Sequence, residues 1–276
     1  MIRISAFADE ISPDLDEQVA VLTRENIHYL DLRSAWNINV LDLNDEQVKH
    51  IQQTLQEHHI EVAAIGSPIG KVPIDSPFEA EVQRLERAIA VAHAFHTPYI
   101  RIFSFYPPAT GGDVAAHRDE VMRRMRVMGE RAREAAITLL HENEKDIYGD
   151  TIARCVDLMR EDAGSGHVQT VFDPANFIQC GQTPFPDAYD ALQPWLAYMH
   201  VKDALPDGRV VTAGEGSARW PALLQRLRVD GYEGFFALEP HLAAQGQLGG
   251  FSGPDLFHHA AQALRTMLQG MGWDYP

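Results

Sequence analysis

The sequence has 276 residues, of which 45% are hydrophobic and 22% are charged, so the chain is long enough to bury a full core. Its formal net charge of −16 argues against DNA or RNA as a partner, because binding phosphates requires lysine and arginine. The two cysteines, Cys155 and Cys180, are too few for a disulfide framework or for a cysteine-based zinc site.

Short apolar or β-branched runs alternate with amphipathic helical segments from one end of the sequence to the other. The eight predicted strands are, in chain order, 2–7, 28–33, 61–66, 99–105, 137–143, 168–173, 197–202 and 234–240. Segments between them, such as 45–58 and 80–95, carry apolar residues at the i, i+3, i+4 spacing of a helix. Asn44, Asp150 and Ser217 precede three of these segments and are predicted to be helix N-caps.

Eight strands that alternate with helices predict an α/β protein, specifically a single-domain (β/α)8 TIM barrel over residues 1–276. No linker rich in proline, glycine or serine divides the chain into halves. The main alternative is a doubly wound open sheet, which normally has a glycine-rich turn after its first strand. The segment SAFADEISPD at that position contains no glycine, so the barrel is favoured.

Polar side chains close four consecutive predicted strands. Strands five to eight end with Glu142, Asp173, His200 and Glu239, and the first two separations, 31 and 27 residues, are close to the ~30 residues of one β/α unit. The last separation is 39 residues, and the extra loop ALPDGRVVTAGEG explains the difference. Because barrel active sites form at the carboxyl ends of the strands, we expect these four side chains to meet on one rim. Each residue alone is readily interpreted as a helix cap, a surface group or a core histidine. The prediction of a functional site therefore depends on all four occurring together.

Three carboxylates in a partly buried barrel mouth would repel one another and take up protons unless a cation joined them. The four residues therefore predict one divalent metal ion per chain. Three oxygen ligands and one imidazole suit Mn²⁺, which is the expected ion, with Mg²⁺, Co²⁺ and Zn²⁺ as alternatives.

Several motifs in this order resemble the xylose isomerase-like barrel superfamily of sugar phosphate isomerases and epimerases. They are HENE, FDPANF, HVKDA, VTAGEG and LEPH, preceded by FADEIS, GSPIGK and IRIFSFY. The resemblance implies a barrel enzyme that holds a divalent metal and acts on a small sugar or polyol. It also implies a homo-oligomer, either a dimer or a tetramer.

The resemblance further implies catalytic roles. In the ketose 3-epimerases of this group, the first and last metal-binding glutamates act as acid and base on opposite faces of the sugar, which here would be Glu142 and Glu239. They would move a proton next to a carbonyl through a metal-stabilised enediolate. Those epimerases also carry a histidine three residues after the strand-six aspartate, whereas this sequence has Asn176, whose amide cannot exchange protons near neutral pH.

Other polar residues near the strand ends are candidates for substrate binding, together with Asn176. Each has an alternative structural role, such as pairing with a barrel carboxylate, remaining solvated or shaping a loop. These candidates are Lys71, Arg101, Lys202, Asp203 and Glu215. Arg33 has the same two interpretations as Arg101, and the glycine-rich segment 246–255 is a candidate site for a substrate phosphate.

Three functions therefore remain open for the sequence. The first is a metal-dependent sugar or sugar phosphate isomerase or epimerase. The second is a metal-dependent dehydratase of a keto-inositol or dehydroshikimate-like substrate, and the third is a sugar-binding protein without catalysis. A DNA nuclease of this superfamily is disfavoured, because strands three and four end without the histidines that its metal cluster requires.

The opening residues MIRISAFADEIS become acidic within nine positions and do not resemble a secretory leader. No run approaches the ~18 consecutive apolar residues of a membrane span. We therefore expect a cytoplasmic protein that makes no membrane contact.

Overall fold

A closed barrel of eight parallel strands lies at the centre of the structure, a computed structural model that describes residues 1–161, 167–243 and 250–275. We number its strands β1 to β8 in chain order. They are Arg3–Ala6, Tyr29–Leu32, Glu61–Ile65, Tyr99–Ile102, Thr138–Glu142, Val168–Phe172, Leu196–Val201 and Phe235–Leu238. All eight predicted strands are present, most of them shorter than predicted by one or two residues at an end.

The barrel closes because β1 pairs in parallel with both β2 and β8. Arg3 to Ala6 lie opposite Phe235 to Leu238, and Ser5 lies opposite Tyr29. Every other strand pairs in parallel with its neighbours in sequence order. The predicted (β/α)8 TIM barrel is confirmed, and the alternative open sheet is wrong.

Helices of the outer layer follow each strand. We number them α1 to α9, and two of them, α6 and α7, follow β6. Their bounds are Leu15–Arg24, Asp45–Glu57, Phe78–Ala94, Arg118–Glu134, Ile152–Glu161, Pro174–Gln179, Tyr189–Leu192, Trp220–Val229 and Gly253–Gly270.

The predicted cap at Asn44 is confirmed at the start of α2. The Asn44 side chain accepts a hydrogen bond from the Gln47 backbone N–H at 2.9 Å, and the Gln47 side chain accepts one from the Asn44 N–H at 2.9 Å. These reciprocal bonds form a capping box, which satisfies two backbone donors that the helix itself leaves unpaired.

The predicted cap at Asp150 is wrong, because α5 begins at Ile152. The hydroxyl of Thr151 instead accepts the backbone N–H of Arg154 at 3.4 Å. The Asp150 carboxylate pairs with the guanidinium of Arg154.

The predicted cap at Ser217 is also wrong, because α8 begins three residues later at Trp220. The backbone N–H of Ser217 bonds to the carbonyl of Ala204, so this residue belongs to the loop before the helix. Arg219 occupies the N-cap position in the left-handed region, at φ 58°. The local sequence pattern does not predict this cap position, because the carboxylate of Asp203, described below, fixes the conformation of the loop.

Two small antiparallel hairpins, which the sequence patterns did not predict, extend the loops after β2 and β7. The first pairs Ser34–Ala35 with Ile38–Asn39, and the second pairs Asp203–Ala204 with Val210–Val211. Both lie at the carboxyl ends of the strands. Among the residues that the structure describes, no helix is both long and apolar enough to cross a membrane.

Candidate metal centre and active-site cavity

The four residues at the ends of β5 to β8 converge as predicted. Glu142 is the last residue of β5, Asp173 and Glu239 directly follow β6 and β8, and His200 lies near the end of β7. Each is at most 2% exposed, and each offers one possible ligand atom within 4.8 Å of the others. The parallel barrel thus brings four distant residues into a group that could hold a metal ion.

The distances within this group fit shared coordination better than hydrogen bonding. His200 Nδ1 lies 3.4 Å from Glu142 Oε1, 3.9 Å from Asp173 Oδ2 and 3.2 Å from Glu239 Oε2. His200 Nδ1 is buried without a hydrogen bond, and Asp173 Oδ2, which also lacks a regular hydrogen bond, pairs with the Lys202 ammonium at 2.6 Å. Buried polar atoms without partners are costly, and a cation among them would remove that cost.

Asp173 also caps α6. Its Oδ1 accepts the backbone N–H of Asn176 at 2.9 Å, and Pro174 follows it in the first turn. The two carboxylate oxygens therefore have separate tasks, since Oδ1 begins the helix while Oδ2 faces His200. Asp173 can therefore be both a helix cap and a candidate metal ligand.

The charges of the surrounding cluster leave room for one divalent ion. Arg33 pairs with Glu239 at 3.0 Å, and Arg101 pairs with Glu142 at 3.1 Å and with Glu239 at 3.4 Å. The cluster of side chains in contact contains five carboxylates and three permanent cations: Asp9, Glu10, Glu142, Asp173, Glu239, Arg33, Arg101 and Lys202. With neutral histidines, two negative charges remain, which is the charge that a divalent cation balances.

Without a metal, a protonated histidine is the other way to offset these charges. Burial lowers the pKa of His200, but Glu142 and Glu239 outweigh it and raise the pKa to about 10. Burial likewise lowers the pKa of His241, and Glu10 and Glu239 raise it to about 9.

Burial raises the pKa of Asp173 above its ordinary value, whereas the pKa values of the two glutamates are lowered. Burial raises the pKa of Glu142, but His200 and Arg101 lower it to about 2. The pKa of Glu239 is also held well below its ordinary value against burial, by Lys202 and the histidines. Both glutamates are therefore ionised near neutral pH.

The predicted substrate-binding residues Asn176 and Lys202 lie directly against the metal-ligand group. The Asn176 amide donates to Glu142 Oε1 at 3.1 Å and to the Asn143 carbonyl at 2.9 Å. Lys202 Nζ lies 2.6 Å from Asp173 Oδ2 and 3.3 Å from Glu239 Oε2. Burial disfavours its ammonium, but Asp173 and Glu239 raise the pKa of Lys202 well above its ordinary value, so it stays charged.

Asp203, in contrast, organises the loop after β7. Its carboxylate accepts backbone N–H groups from Ala204 at 2.8 Å and from Gly214, Gly216 and Ala218 at 3.0 Å each. A Cβ at position 216 would clash with this carboxylate, so only glycine fits there. With both oxygens engaged, Asp203 does not line the cavity.

The two remaining candidates lie further from the ligand group. Glu215 is exposed on the loop that Asp203 folds, and it does not line the cavity. Lys71 does line the cavity, where its ammonium pairs with Glu144 at 3.1 Å and lies 4.2 Å from the Phe103 ring centroid. The proposed phosphate seat 246–255 lies partly outside the described residues, since 246–249 are not described.

Four site residues were not singled out from the sequence, although each lies in a quoted motif. Asp9 and Glu10 of FADEIS contact Arg33, and His241 of LEPH contacts Glu10 at 3.0 Å. Glu144 of HENE pairs with Lys71. Glu10, Glu239 and His241 form a second group of possible ligands, but Arg33 already supplies a positive charge to both of its glutamates.

A cavity of about 420 Å³ opens onto the group and has the size of a small-molecule site. Its described lining is dominated by charged and polar side chains, including Arg33, Lys71, Arg101, Glu142, Lys202 and Glu239. Such a lining suits a hydroxyl-rich molecule better than an apolar one.

Comparison with protein-family models shows to which family this chain is related. A family model described as xylose isomerase-like TIM barrel matches residues 27–267. The chain belongs to this family. The resemblance drawn from the motifs is thereby confirmed. A search of curated proteins gives no significant match.

Solved structures of this xylose isomerase-like type share the fold at low sequence identity. The probable 3-DHS dehydratase AsbF from Bacillus anthracis is 18% identical, with a TM-score of 0.75 over 95% of this chain and 98% of that chain. A xylose isomerase-like TIM barrel protein from Mycobacterium smegmatis, in complex with magnesium, is 17% identical, with a TM-score of 0.73 over 97% and 96%. D-psicose 3-epimerase from Clostridium cellulolyticum H10 is 12% identical, with a TM-score of 0.74 over 97% and 98%.

Metal binding should release a proton from His200. A ligating imidazole must be neutral, whereas the His200 pKa of about 10 keeps the ring protonated in the metal-free protein at pH 8. We expect about one proton to leave per Mn²⁺ bound at pH 8, and apparent affinity to rise with pH until it levels off near pH 10. Calorimetric titrations in buffers of different ionisation enthalpy measure this release. Binding enthalpies that are independent of the buffer at pH 8 would contradict it.

Proposed function

We propose that this chain is a divalent-metal-dependent isomerase or epimerase of a small sugar, sugar phosphate or related polyol, acting by proton transfer next to a carbonyl. The observation that carries the proposal is the pair of buried, ionised glutamates, Glu142 and Glu239, that line one polar cavity from different strands. The metal that Glu142, Asp173, His200 and Glu239 would hold supplies Lewis acidity to the substrate carbonyl. Mn²⁺ is the ion we propose.

The two glutamates are suited to acid–base work because each carboxylate is held from more than one side. Asn176 and Arg101 contact the two oxygens of Glu142, at 3.1 Å each. Arg33 contacts Glu239 Oε1 at 3.0 Å, and Lys202 lies 3.3 Å from Oε2. One glutamate would accept the proton from the carbon, and the other would return a proton from the opposite face.

The cations of the cavity would stabilise the charge that develops on the substrate. When the carbon loses its proton, negative charge moves to the adjacent oxygens. Arg101 and Lys202 both line the cavity and are 6% and 3% exposed, so their charges act where little water screens them. Asn176 cannot exchange protons, and its fixed amide would orient Glu142 and donate to a substrate hydroxyl.

A dehydratase is the second candidate, and the departure from the epimerase pattern at one residue is the observation that favours it. The histidine that ketose 3-epimerases carry three residues after the aspartate is Asn176 here, so one polar group of the epimerase pattern is changed. The fold is also similar to that of a probable 3-DHS dehydratase. Such an enzyme would use the same proton removal but would then expel a β-hydroxyl as water.

Replacement of Glu239 by glutamine should lower turnover about 10²- to 10⁴-fold, because an amide cannot accept the proton. Turnover of a substrate found in a keto-sugar panel measures this, with bound Mn²⁺ determined in the same samples because Glu239 is also a ligand. Glu61→Gln is the matched control, since Glu61 is exposed at the opposite end of the barrel, and it should retain wild-type turnover. Full turnover by metal-loaded Glu239→Gln would contradict the assigned role.

Turnover in D₂O separates the candidate reactions. Proton transfer by an isomerase or epimerase should place deuterium on the carbon next to the carbonyl, and NMR of recovered substrate and product detects it. A dehydratase should instead remove water and give an unsaturated product that absorbs in the ultraviolet. Isomerisation without any deuterium would indicate hydride transfer and contradict the proposed mechanism.

A further inference from the structure

Lys202 lies inside the metal-ligand group, although lysine is not one of the ligands. It directly follows β7 and stands two residues after His200. The side chain is 3% exposed, and its Nζ lies 2.6 Å from Asp173 Oδ2 and 3.3 Å from Glu239 Oε2.

The two oxygens that Lys202 approaches are the same ones that face the imidazole. His200 Nδ1 lies 3.9 Å from Asp173 Oδ2 and 3.2 Å from Glu239 Oε2. Of the three carboxylate oxygens that face His200, only Glu142 Oε1 lies away from the ammonium and is instead bonded to Asn176. A divalent ion and the lysine would therefore act on a shared pair of oxygen atoms.

We infer that Lys202 serves as an internal cation of the site and competes with the divalent ion for Asp173 and Glu239. This inference rests on the metal site of the proposed function, but it concerns metal affinity and not turnover. In the metal-free protein, the ammonium holds together carboxylates that would otherwise repel. In the loaded protein, its charge opposes the ion and weakens its binding.

The sign of each effect follows from the charges. Counted with neutral histidines, removal of the ammonium raises the uncompensated negative charge of the cluster from two to three, so a divalent cation is attracted more strongly. The same removal takes away the ammonium that pairs with both Asp173 and Glu239 when no metal is bound, which destabilises the metal-free fold. Removal of a lysine that merely packed against its neighbours, or that oriented the ligands for the metal, would not raise metal affinity while it lowered the stability of the metal-free protein.

The test compares Lys202→Met with the wild-type protein after chelation and dialysis. Mn²⁺ alone is titrated and followed by electron paramagnetic resonance of the free ion, and the melting temperature of the metal-free protein is measured separately. We expect the Kd for Mn²⁺ to fall at least about tenfold in Lys202→Met. We expect the metal-free Tm to fall by roughly 5 °C or more.

Two further variants separate charge from packing. Lys71 lies in the same cavity, but its partner is Glu144, which is not one of the metal ligands. Lys71→Met should therefore leave the Kd for Mn²⁺ within about twofold of the wild-type value. Lys202→Arg keeps the charge and should bind Mn²⁺ more weakly than Lys202→Met. If Lys202→Met does not fold, Lys202→Gln provides the neutral variant with a polar side chain.

An unchanged or weaker Mn²⁺ affinity in the neutral variants would overturn the inference, while wild-type binding would leave the proposed function standing. Absence of Mn²⁺ binding in the wild type as well would overturn both. Tighter binding together with a less stable metal-free protein supports the inference.

Discussion

Repulsion among three buried carboxylates is the constraint on which the rest of this site depends. Glu142, Asp173 and Glu239 each lie within 4 Å of His200 Nδ1 and are at most 2% exposed. Water cannot screen their charges there, so cations must be present. Arg33, Arg101 and Lys202 supply three positive charges, but Asp9 and Glu10 belong to the same cluster, so with neutral histidines two negative charges remain for one divalent ion.

The barrel makes this arrangement possible, because its parallel strands end on one rim. The backbone of each strand is held by its neighbours, so a side chain at a strand end is positioned by the whole sheet. The surrounding loops are then fixed by buried anchors, of which Asp203 is the clearest, with four backbone hydrogen bonds. A rigid rim that holds charged groups close together is suited to catalysis at a carbon next to a carbonyl.

The fold and the ligand group could be predicted from sequence because both follow from a regular spacing. Strand ends that recur about every 30 residues must meet in a closed barrel, as Glu142 and Asp173 do. The contacts of His241 with Glu10 span 231 residues, and no local pattern encodes them. The helix cap predicted at Ser217 is wrong for a similar reason. The Asp203 carboxylate accepts backbone N–H groups on both sides of Ser217 and so holds this segment in a loop.

The central claim is that the four strand-end residues hold one divalent ion, and elemental analysis tests it most directly. The purified protein and a His200→Ala variant are each incubated with Mn²⁺, dialysed and analysed for metals. We expect about one Mn, Co, Mg or Zn per chain in the wild-type protein and its loss in the variant. Absence of metal from both proteins would contradict the account, and the group would then be a network of ion pairs.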